Sequence, residues 1–236
     1  MPTPPVAIDA DHLPEGEEKV RAVRSMFDTI APRYDLVNRV MTLRMDVGWR
    51  RRTVRELGLP RSSAVVDLAC GTGDLCRELA AAGLRPTGMD LSFGMLAAGR
   101  TTAPLVQADA LRLPVPDAGV DGATCGFALR NLVDLGAFFA ELARALRPLG
   151  RIALLEVAEP PNRLLRFGHG VYFGRVVPRI GGLLSDKAAY RYLPKSVAYL
   201  PPAERMVEQL ADSGFTDVRR VLLSAGIAQL VTATRS

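Results

Sequence analysis

The stretch Val65-Val66-Asp67-Leu68-Ala69-Cys70-Gly71-Thr72-Gly73-Asp74-Leu75 decides the fold. A short apolar run ends in an acid and continues through a Gly-x-Gly turn into a helical pattern. Such a run predicts a buried parallel strand. The glycines let the backbone turn tightly, so that a ligand can come close, and the next helix would offer free N–H groups to an anion. The stretch therefore predicts a strand, a ligand-binding loop and a helix.

Two common nucleotide-binding motifs do not fit this loop. A dinucleotide fingerprint needs a third glycine where Cys76 stands, and a P-loop needs a Gly-Lys-Ser/Thr sequence that does not follow. Asp67, directly before the loop, suits a ligand with an ammonium group near the turn, as in S-adenosylmethionine. The loop therefore favours that ligand over a nicotinamide dinucleotide.

Two further acids follow the next two predicted strands, in the stretches Met89-Asp90-Leu91-Ser92 and Gln107-Ala108-Asp109-Ala110. Ligands of parallel sheets bind outside the carboxyl ends of the strands. There Asp90 could accept hydrogen bonds from two ribose hydroxyls, and Asp109 from an adenine amino group, with the Ala110 backbone nearby. The alternative is a set of ordinary turns with solvated acids.

Strands and helices alternate on both sides of this core. The apolar periodicity predicts strands at 64–69, 85–89, 105–107, 122–125, 151–157, 216–223 and 227–234, and helices at 73–82, 93–99, 135–147 and 203–212. Such alternation predicts an α/β fold with a parallel sheet. We expect a Rossmann-like, seven-stranded, mostly parallel sheet with an antiparallel C-terminal hairpin at Ala225-Gly226, in one domain over 17–236.

The residues before the sheet divide into a predicted flexible tail and a predicted helical segment. Residues 1–16 are rich in proline and acids and predict a flexible tail. Residues 17–57 predict N-terminal helices, broken at Pro32 and near Gly48. One helical repeat there comprises Leu36, Val40, Leu43 and Val47.

Length and composition restrict the class of protein. The 236 residues are 48% hydrophobic and 23% charged, as in ordinary soluble domains. The sequence has no uncharged apolar stretch of the roughly 18 residues that a membrane-spanning helix needs. Its N-terminus does not resemble a signal peptide, so we expect a cytoplasmic protein. Three cysteines and two histidines without ligand spacing give no reason to expect a metal site.

One segment carries most of the net charge of +5. Residues 161–200 contain seven Lys or Arg and one acid, and they are also rich in apolar residues. This combination predicts a helical lid that contacts an acidic or membrane-like surface. The alternative is a helical layer whose arginines extend into water. No nucleic-acid motif accompanies the charge, so we do not expect a nucleic-acid partner.

Three further motifs resemble the ubiquinone/menaquinone biosynthesis C-methyltransferases, over about 23–232. They are Met26-Phe27-Asp28-Thr29-Ile30-Ala31-Pro32-Arg33-Tyr34-Asp35-Leu36-Val37-Asn38 with Trp49-Arg50-Arg51 beyond, Gly126-Phe127-Ala128-Leu129-Arg130-Asn131-Leu132-Val133-Asp134, and Tyr190-Arg191-Tyr192-Leu193-Pro194-Lys195-Ser196-Val197. The resemblance implies a class I fold and S-adenosylmethionine as cofactor.

The resemblance also assigns roles to residues of this chain. It implies that Arg130, Asn131 and Tyr34 lie near the ring of the acceptor. The alternatives are a Tyr34 packed under the lid and an Arg130 paired with Asp134 or another acid. Together with the strand ends, the resemblance predicts a cofactor-binding set of Asp67, Gly71, Thr72, Gly73, Asp90, Leu91, Asp109, Ala110 and Gly126.

The expected activity is C-methylation of a prenylated quinol, first of all of demethylmenaquinol to menaquinol, at the membrane surface and in a chain that could form a homodimer. A soluble phenol of secondary metabolism is the alternative acceptor. A dinucleotide-dependent reductase or a catalytically silent partner in a quinone-synthesis complex is a third interpretation. Cys76 disfavours the reductase, and the presence of Tyr34, Arg130 and Asn131 disfavours a silent partner. The chain departs from the family's pattern at Thr42, Arg44, Ala128 and Leu149, which leaves the acceptor open.

Overall fold

A computed structural model describes residues 14–172, 175, 179, 192 and 195–236. Its centre is a seven-stranded sheet in the order β3-β2-β1-β4-β5-β7-β6, in which β7 is antiparallel to both of its neighbours. The strands are β1 Ala64–Leu68, β2 Arg85–Asp90, β3 Leu105–Gln107, β4 Val120–Gly126, β5 Leu146–Val157, β6 Phe215–Leu223 and β7 Ala228–Arg235. The predicted fold class and the C-terminal hairpin are therefore confirmed.

Helices cover both faces of this sheet. They are α1 Gly16–Ile30, α2 Tyr34–Met41, α3 Met45–Leu57, α4 Asp74–Ala81, α5 Phe93–Ala97, α6 Leu135–Ala145, α7 Arg163–Val171 and α8 Ala203–Asp212. Phe138, Phe139 and Leu142 of α6 are fully buried on one face, where α8 adds Leu210. On the other face, α3 packs its apolar side chains against β5 and β7, and α4 packs against α3 and β2.

Most predicted element bounds agree with the structure within two residues, with one large difference. β5 begins at Leu146 rather than at Arg151. The pairing of β4 with β5 shifts register between Val120 and Gly122, so that the extra residues before Arg151 bulge out of the ladder. A bulge of this kind leaves little trace in the apolar periodicity.

The N-terminal helices break at one predicted position and at one unexpected position. A 3₁₀ turn at Ala31–Arg33 confirms the break at Pro32. The second break lies at Thr42–Arg44, where Leu43 and Arg44 adopt left-handed φ angles of 50° and 62°. The break expected near Gly48 is wrong, because Gly48 lies inside α3.

The apolar repeat at Leu36, Val40 and Leu43 is not core. These side chains are 56%, 38% and 72% exposed, and α2 instead buries Val37 and Met41. The periodicity predicted α2, but it follows an exposed face of that helix and continues through Leu43, which lies in the break between α2 and α3.

Two predicted segments lie partly outside the described residues. Of the tail expected at 1–16, residues 1–13 are outside, Pro14 is buried, and α1 already begins at Gly16. Of the lid expected at 161–200, α7 and the 3₁₀ turn Val197–Tyr199 are described, and most of 173–194 is outside. Within the described part of the chain, every helix is too short or too polar to cross a bilayer.

Candidate active site

A cavity of about 180 Å³ lies at the carboxyl ends of β1, β2 and β4. The sheet order changes direction between β1 and β4, and open α/β sheets bind ligands at such a switch point. We call this the acid-lined cavity, because the two acids Asp90 and Asp109 line it; Gly71, Leu91, Ala110 and Gly126 also belong to its wall. Six of the nine residues predicted to bind the cofactor therefore surround one space.

Asp90 joins the glycine loop to the end of β2. Its two carboxylate oxygens accept hydrogen bonds from the backbone N–H groups of Gly71 and Ser92, each at 2.8 Å. Burial raises the pKa of this carboxyl above its usual value, and the two N–H groups oppose the shift. The loop and the acid are therefore held in one fixed geometry.

Asp109 is fixed by its own turn. Its Oδ1 accepts the backbone N–H of Leu111 at 2.9 Å, as in an Asx turn. Both Asp109 and Ala110 line the acid-lined cavity. The edge of the sheet beyond β2 thus contributes an acid next to a small apolar wall.

The glycine loop turns at two left-handed positions. Gly71 has a φ of +57° and Gly73 a φ of +83°. A Cβ added to Gly73 would lie 2.5 Å from Cγ2 of Thr101, so this position also excludes a side chain by space. Gly73 caps the N-terminus of α4 and shapes the loop.

Asp67 is buried under this loop. Its carboxylate accepts hydrogen bonds from the Thr124 hydroxyl at 2.8 Å and from the Cys76 thiol at 3.4 Å. Burial raises its pKa to about 7, although both hydrogen bonds and the charge of Arg50 lower it. Cys76, which stands where a dinucleotide fingerprint has its third glycine, is therefore a partner of the acid.

Asp67 and Thr72 line a small pocket of about 40 Å³, which we call the junction pocket. Arg50 and Asp74 also line it, and the Arg50 Nη2 lies 3.1 Å from the Asp74 carboxylate. The Thr72 hydroxyl donates a 2.6 Å hydrogen bond to Asp35. The pocket therefore combines acids with a guanidinium, a setting suited to a zwitterionic group.

A second cavity of about 580 Å³ lies along α2, whose Tyr34, Asn38 and Met41 line it. Its wall is mainly apolar, so we call it the apolar cavity; the residues used below are Asn38, Met41, Trp49, Arg130, Leu164 and Leu165. Its volume is typical of a site for a small organic molecule.

Tyr34 and Phe127 line all three spaces. The Tyr34 ring packs edge-on against Phe27 with centroids 6.0 Å apart, and Phe127 lies 6.0 Å from Trp49. Burial raises the pKa of the Tyr34 phenol above its usual value, although the charges of Arg50 and Arg130 oppose the shift. Tyr34 and Phe127 thus form the wall between the acid-lined and apolar cavities.

Arg130 is buried at the wall of the apolar cavity. Its guanidinium forms an ion pair with Glu156 and donates to the Phe127 carbonyl at 2.8 Å and to the Ser196 hydroxyl at 3.1 Å. The sequence left Asp134 or another acid as the partner of Arg130; the structure pairs it with another acid, Glu156, while Asp134 caps α6 by accepting the N–H of Ala137. Arg130 therefore forms a buried ion pair with Glu156 and also lines the apolar cavity.

Asn131 faces the other cavity. It lines the acid-lined cavity, and its Oδ1 accepts the hydroxyl of Tyr192 at 3.4 Å. The structure thus divides the predicted catalytic residues: Arg130 lies at the apolar cavity, Asn131 at the acid-lined cavity, and Tyr34 at both.

Sequence reasoning missed several residues of this site. Glu156 stands at the carboxyl end of a predicted strand, so the signal that singled out Asp90 could have found it. Asp35 and Asn38 stand in the quoted N-terminal motif, but only the docking of α2 beside the glycine loop reveals what they contact. Nothing in the sequence indicates that Phe127 takes a φ of +60° at the centre of the site.

The chain is similar to known proteins over nearly its whole length. The model of the ubiE/COQ5 methyltransferase family matches residues 15–235. A demethylmenaquinone methyltransferase of Roseiflexus castenholzii is 40% identical over 94% of this chain and 97% of its own length. A demethylmenaquinone methyltransferase of Thermus thermophilus is 42% identical over 89% of this chain and 100% of its own.

Solved structures share the fold at low sequence identity. A putative methyltransferase of Haloferax volcanii, in complex with a Trm112 activator, superposes with a TM-score of 0.63 at 17% identity, over 88% of this chain and 96% of that one. Phosphoethanolamine N-methyltransferase 2 of Haemonchus contortus, in complex with S-adenosyl-L-methionine, gives 0.58 at 15% identity, over 79% and 52%. Fold, motifs and relatives agree: the chain belongs to the ubiE/COQ5 methyltransferase family.

Proposed function

We propose that this methyltransferase moves a methyl group from S-adenosylmethionine to a ring carbon of a prenylated quinol, with demethylmenaquinol as the foremost acceptor. The observation that carries the proposal is the shared wall of Tyr34 and Phe127 between an acid-lined cavity and an apolar cavity. The acid-lined cavity offers two carboxylates to the hydroxyl and amino groups of the cofactor, and the larger apolar cavity offers space for an apolar ring and its substituent. The relatives named demethylmenaquinone methyltransferase support this choice of acceptor.

The residues at the acid-lined cavity and junction pocket fit S-adenosylmethionine. Asp90 would accept from the ribose hydroxyls and Asp109 from the adenine amino group, with Leu91, Ala110 and Gly126 as apolar or backbone walls. Asp67, with its pKa near neutrality, would ionise fully beside an ammonium group. When bound, the cofactor supplies an activated methyl group, and this chain's residues position it.

Methylation of a ring carbon requires residues at the wall of the apolar cavity that stabilise and orient the acceptor ring. A quinol ring carbon becomes nucleophilic when a neighbouring hydroxyl loses its proton to water. After the methyl group adds, the same carbon loses its hydrogen as a proton, and the ring becomes aromatic again. The buried Arg130 guanidinium would stabilise the resulting phenolate, since charges interact strongly where water is excluded. Its ion pair with Glu156 keeps the guanidinium in place. Tyr34, which lines both cavities, would orient the ring and so align the reacting carbon, and Asn131 would act from the acid-lined side of the wall.

The mouth of the apolar cavity supports a membrane-bound acceptor. Leu43, Leu164 and Leu165 line the cavity and are also exposed at the surface, Leu164 by 78%. Phe167 on the same helix is 72% exposed. We place the prenyl tail along this mouth, with the apolar side chains entering the lipid surface.

Cations stand next to these apolar residues in the sequence. Arg163 and Arg166 lie on α7, and Arg44 precedes α3. Cations next to an anionic bilayer contribute up to about 1 kcal/mol each. Co-sedimentation with vesicles of neutral or anionic lipid tests this contact. We expect binding that grows with anionic lipid content and weakens in the Leu164→Ser/Phe167→Ser variant; Val221→Ser, at an exposed position of β6, is the control.

A competition assay decides between the two acceptor classes. The enzyme receives labelled S-adenosylmethionine and equal amounts of a reduced 2-prenyl-1,4-naphthoquinone and the same ring without its prenyl group. We expect label mainly in the prenylated product, because the apolar cavity is larger than the ring alone requires. Preference for the tail-free ring would instead favour a soluble phenol of secondary metabolism.

A further inference from the structure

Asn38 carries a buried polar atom that the fold does not use. Its side chain lines the apolar cavity, and its Nδ2 is buried without a hydrogen-bond partner among the described residues. Burying an amide N–H unpaired is costly, so such a group in a native structure calls for an explanation. A ligand oxygen in the cavity would supply the missing acceptor.

The helix around Asn38 is complete without this side chain. Its backbone carbonyl accepts the Thr42 N–H at 2.9 Å and the Thr42 hydroxyl at 2.8 Å. These bonds end α2 and use only the main chain of Asn38. The Nδ2 donor contributes no hydrogen bond to the fold among the described residues, so a structural role does not account for it.

Asn38 lies one helical turn after Tyr34. Residues four apart share a helix face and are separated by about 6 Å along the axis. That separation is comparable with the distance between two oxygens on opposite sides of one six-membered ring. Tyr34 lines all three cavities, whereas Asn38 lines only the apolar one, so Asn38 is the more distant of the two from the cofactor loop.

We infer that Asn38 donates a hydrogen bond to the second oxygen of the acceptor ring, the one remote from the carbon that is methylated. This inference rests on the proposed function and assigns to Asn38 the recognition of the quinol's second oxygen. Removing that oxygen from the acceptor would leave the Asn38 amide unpaired in the complex. Sites of this kind discriminate strongly against the analogue that lacks the polar group.

Two acceptors isolate the contact. One is reduced 2-prenyl-1,4-naphthoquinone, and the other is 3-prenyl-1-naphthol, which keeps the hydroxyl beside the methylated carbon and lacks the remote oxygen. Comparing variants by the ratio of kcat/KM for the two acceptors cancels their difference in intrinsic reactivity. The variants are Asn38→Leu, which removes the amide at similar size, and Asn38→Gln, which keeps a donor. Leu36→Ala, on the exposed face of α2, is the matched control.

We define the ratio as kcat/KM for the reduced 2-prenyl-1,4-naphthoquinone divided by kcat/KM for 3-prenyl-1-naphthol. We expect Asn38→Leu to lower this ratio about tenfold, the usual effect of one lost hydrogen bond. Asn38→Gln should recover part of the ratio, and Leu36→Ala should leave it unchanged. The melting temperature of Asn38→Leu should be equal to or above that of the wild type, because an unpaired amide is removed.

A ratio in Asn38→Leu equal to that of the wild type would overturn the inference, and it can arise in two ways: kcat/KM unchanged on both acceptors, or an equal loss on both acceptors together with a lower melting temperature. The second result would assign Asn38 to the fold. A wild-type enzyme that methylates neither acceptor would refute the proposed function itself.

Discussion

Thr72 in the cofactor loop and Asp35 in α2 are joined by a 2.6 Å hydrogen bond between two buried side chains. α2 also carries Tyr34 and Asn38, which line the apolar cavity. A single contact therefore connects the loop that would hold the cofactor to the helix that would hold the acceptor.

Removing this contact should affect both substrates. In Thr72→Val the hydroxyl is lost at almost unchanged volume, and the buried Asp35 carboxylate loses a donor. We expect KM to rise about tenfold for both S-adenosylmethionine and the quinol, since a hydrogen bond to a charged group contributes about 1.5–3 kcal/mol. Steady-state kinetics measure both constants, with Thr29→Val, an exposed hydroxyl of α1, as control. A change confined to the cofactor's KM would contradict the coupling.

The buried Asp67 should make the protein less stable as pH rises. The folded-state pKa is about 7, above the value of 3.8 expected in the unfolded chain. Between these two values the folded state holds a proton that the unfolded state has lost, so the free energy of unfolding falls as pH increases. Urea unfolding from pH 4 to pH 7 measures the slope. Asp67→Asn should flatten it, and an unchanged slope would exclude Asp67 as its source.

Cofactor binding should lower the pKa of Asp67. A bound ammonium group stabilises the carboxylate, so the affinity for S-adenosylmethionine should rise through pH 6 to pH 8 with release of a proton. Calorimetry in two buffers of different ionisation enthalpy counts that proton. Equal heats in both buffers would show that Asp67 does not ionise on binding.

Glu156 should stabilise the fold through Arg130. Both side chains are buried, and breaking a buried pair by removing one partner costs about 3–5 kcal/mol. We therefore expect Glu156→Ala to lower the free energy of unfolding by that amount, measured in urea. The control is Glu208→Ala, which breaks the exposed pair with Arg205 and should cost about 1 kcal/mol or less. Equal losses in both variants would contradict a buried role for Glu156.

Two departures from the family's sequence pattern coincide with strained backbone. Arg44 and Leu149 have φ angles of 62° and 64°, in the left-handed region that favours glycine. Arg44→Gly and Leu149→Gly should each raise the free energy of unfolding by about 1 kcal/mol, which corresponds to about 2–4 °C in Tm for a chain of this size. Differential scanning calorimetry checks this. A lower Tm in both variants would show that side-chain contacts outweigh the strain.

The sequence predicted best what depends on local pattern. Asp67, Asp90 and Asp109 were identified because each follows a short apolar run, and parallel strands bring such ends to one edge. The hairpin was identified in the same way. These features need only strand period and order along the chain.

What the sequence could not predict depends on docking between distant segments. The Thr72–Asp35 bond, the Arg130–Glu156 pair and the division of Arg130 and Asn131 between two cavities join residues far apart in sequence. The apolar repeat at Leu36 and Val40 did not indicate which face of α2 is buried, for a related reason. Periodicity identifies an apolar face but does not say whether that face covers a core or a surface.

The most direct test of the central claim is methyl transfer from S-adenosylmethionine to demethylmenaquinone, with and without prior chemical reduction, followed by tandem mass spectrometry. We predict a product heavier by one methyl group on a ring carbon, formed only from the reduced acceptor. A protein that binds S-adenosylmethionine in a calorimeter and yet forms no such product, or forms one methylated on oxygen, would contradict the assignment as a quinol C-methyltransferase.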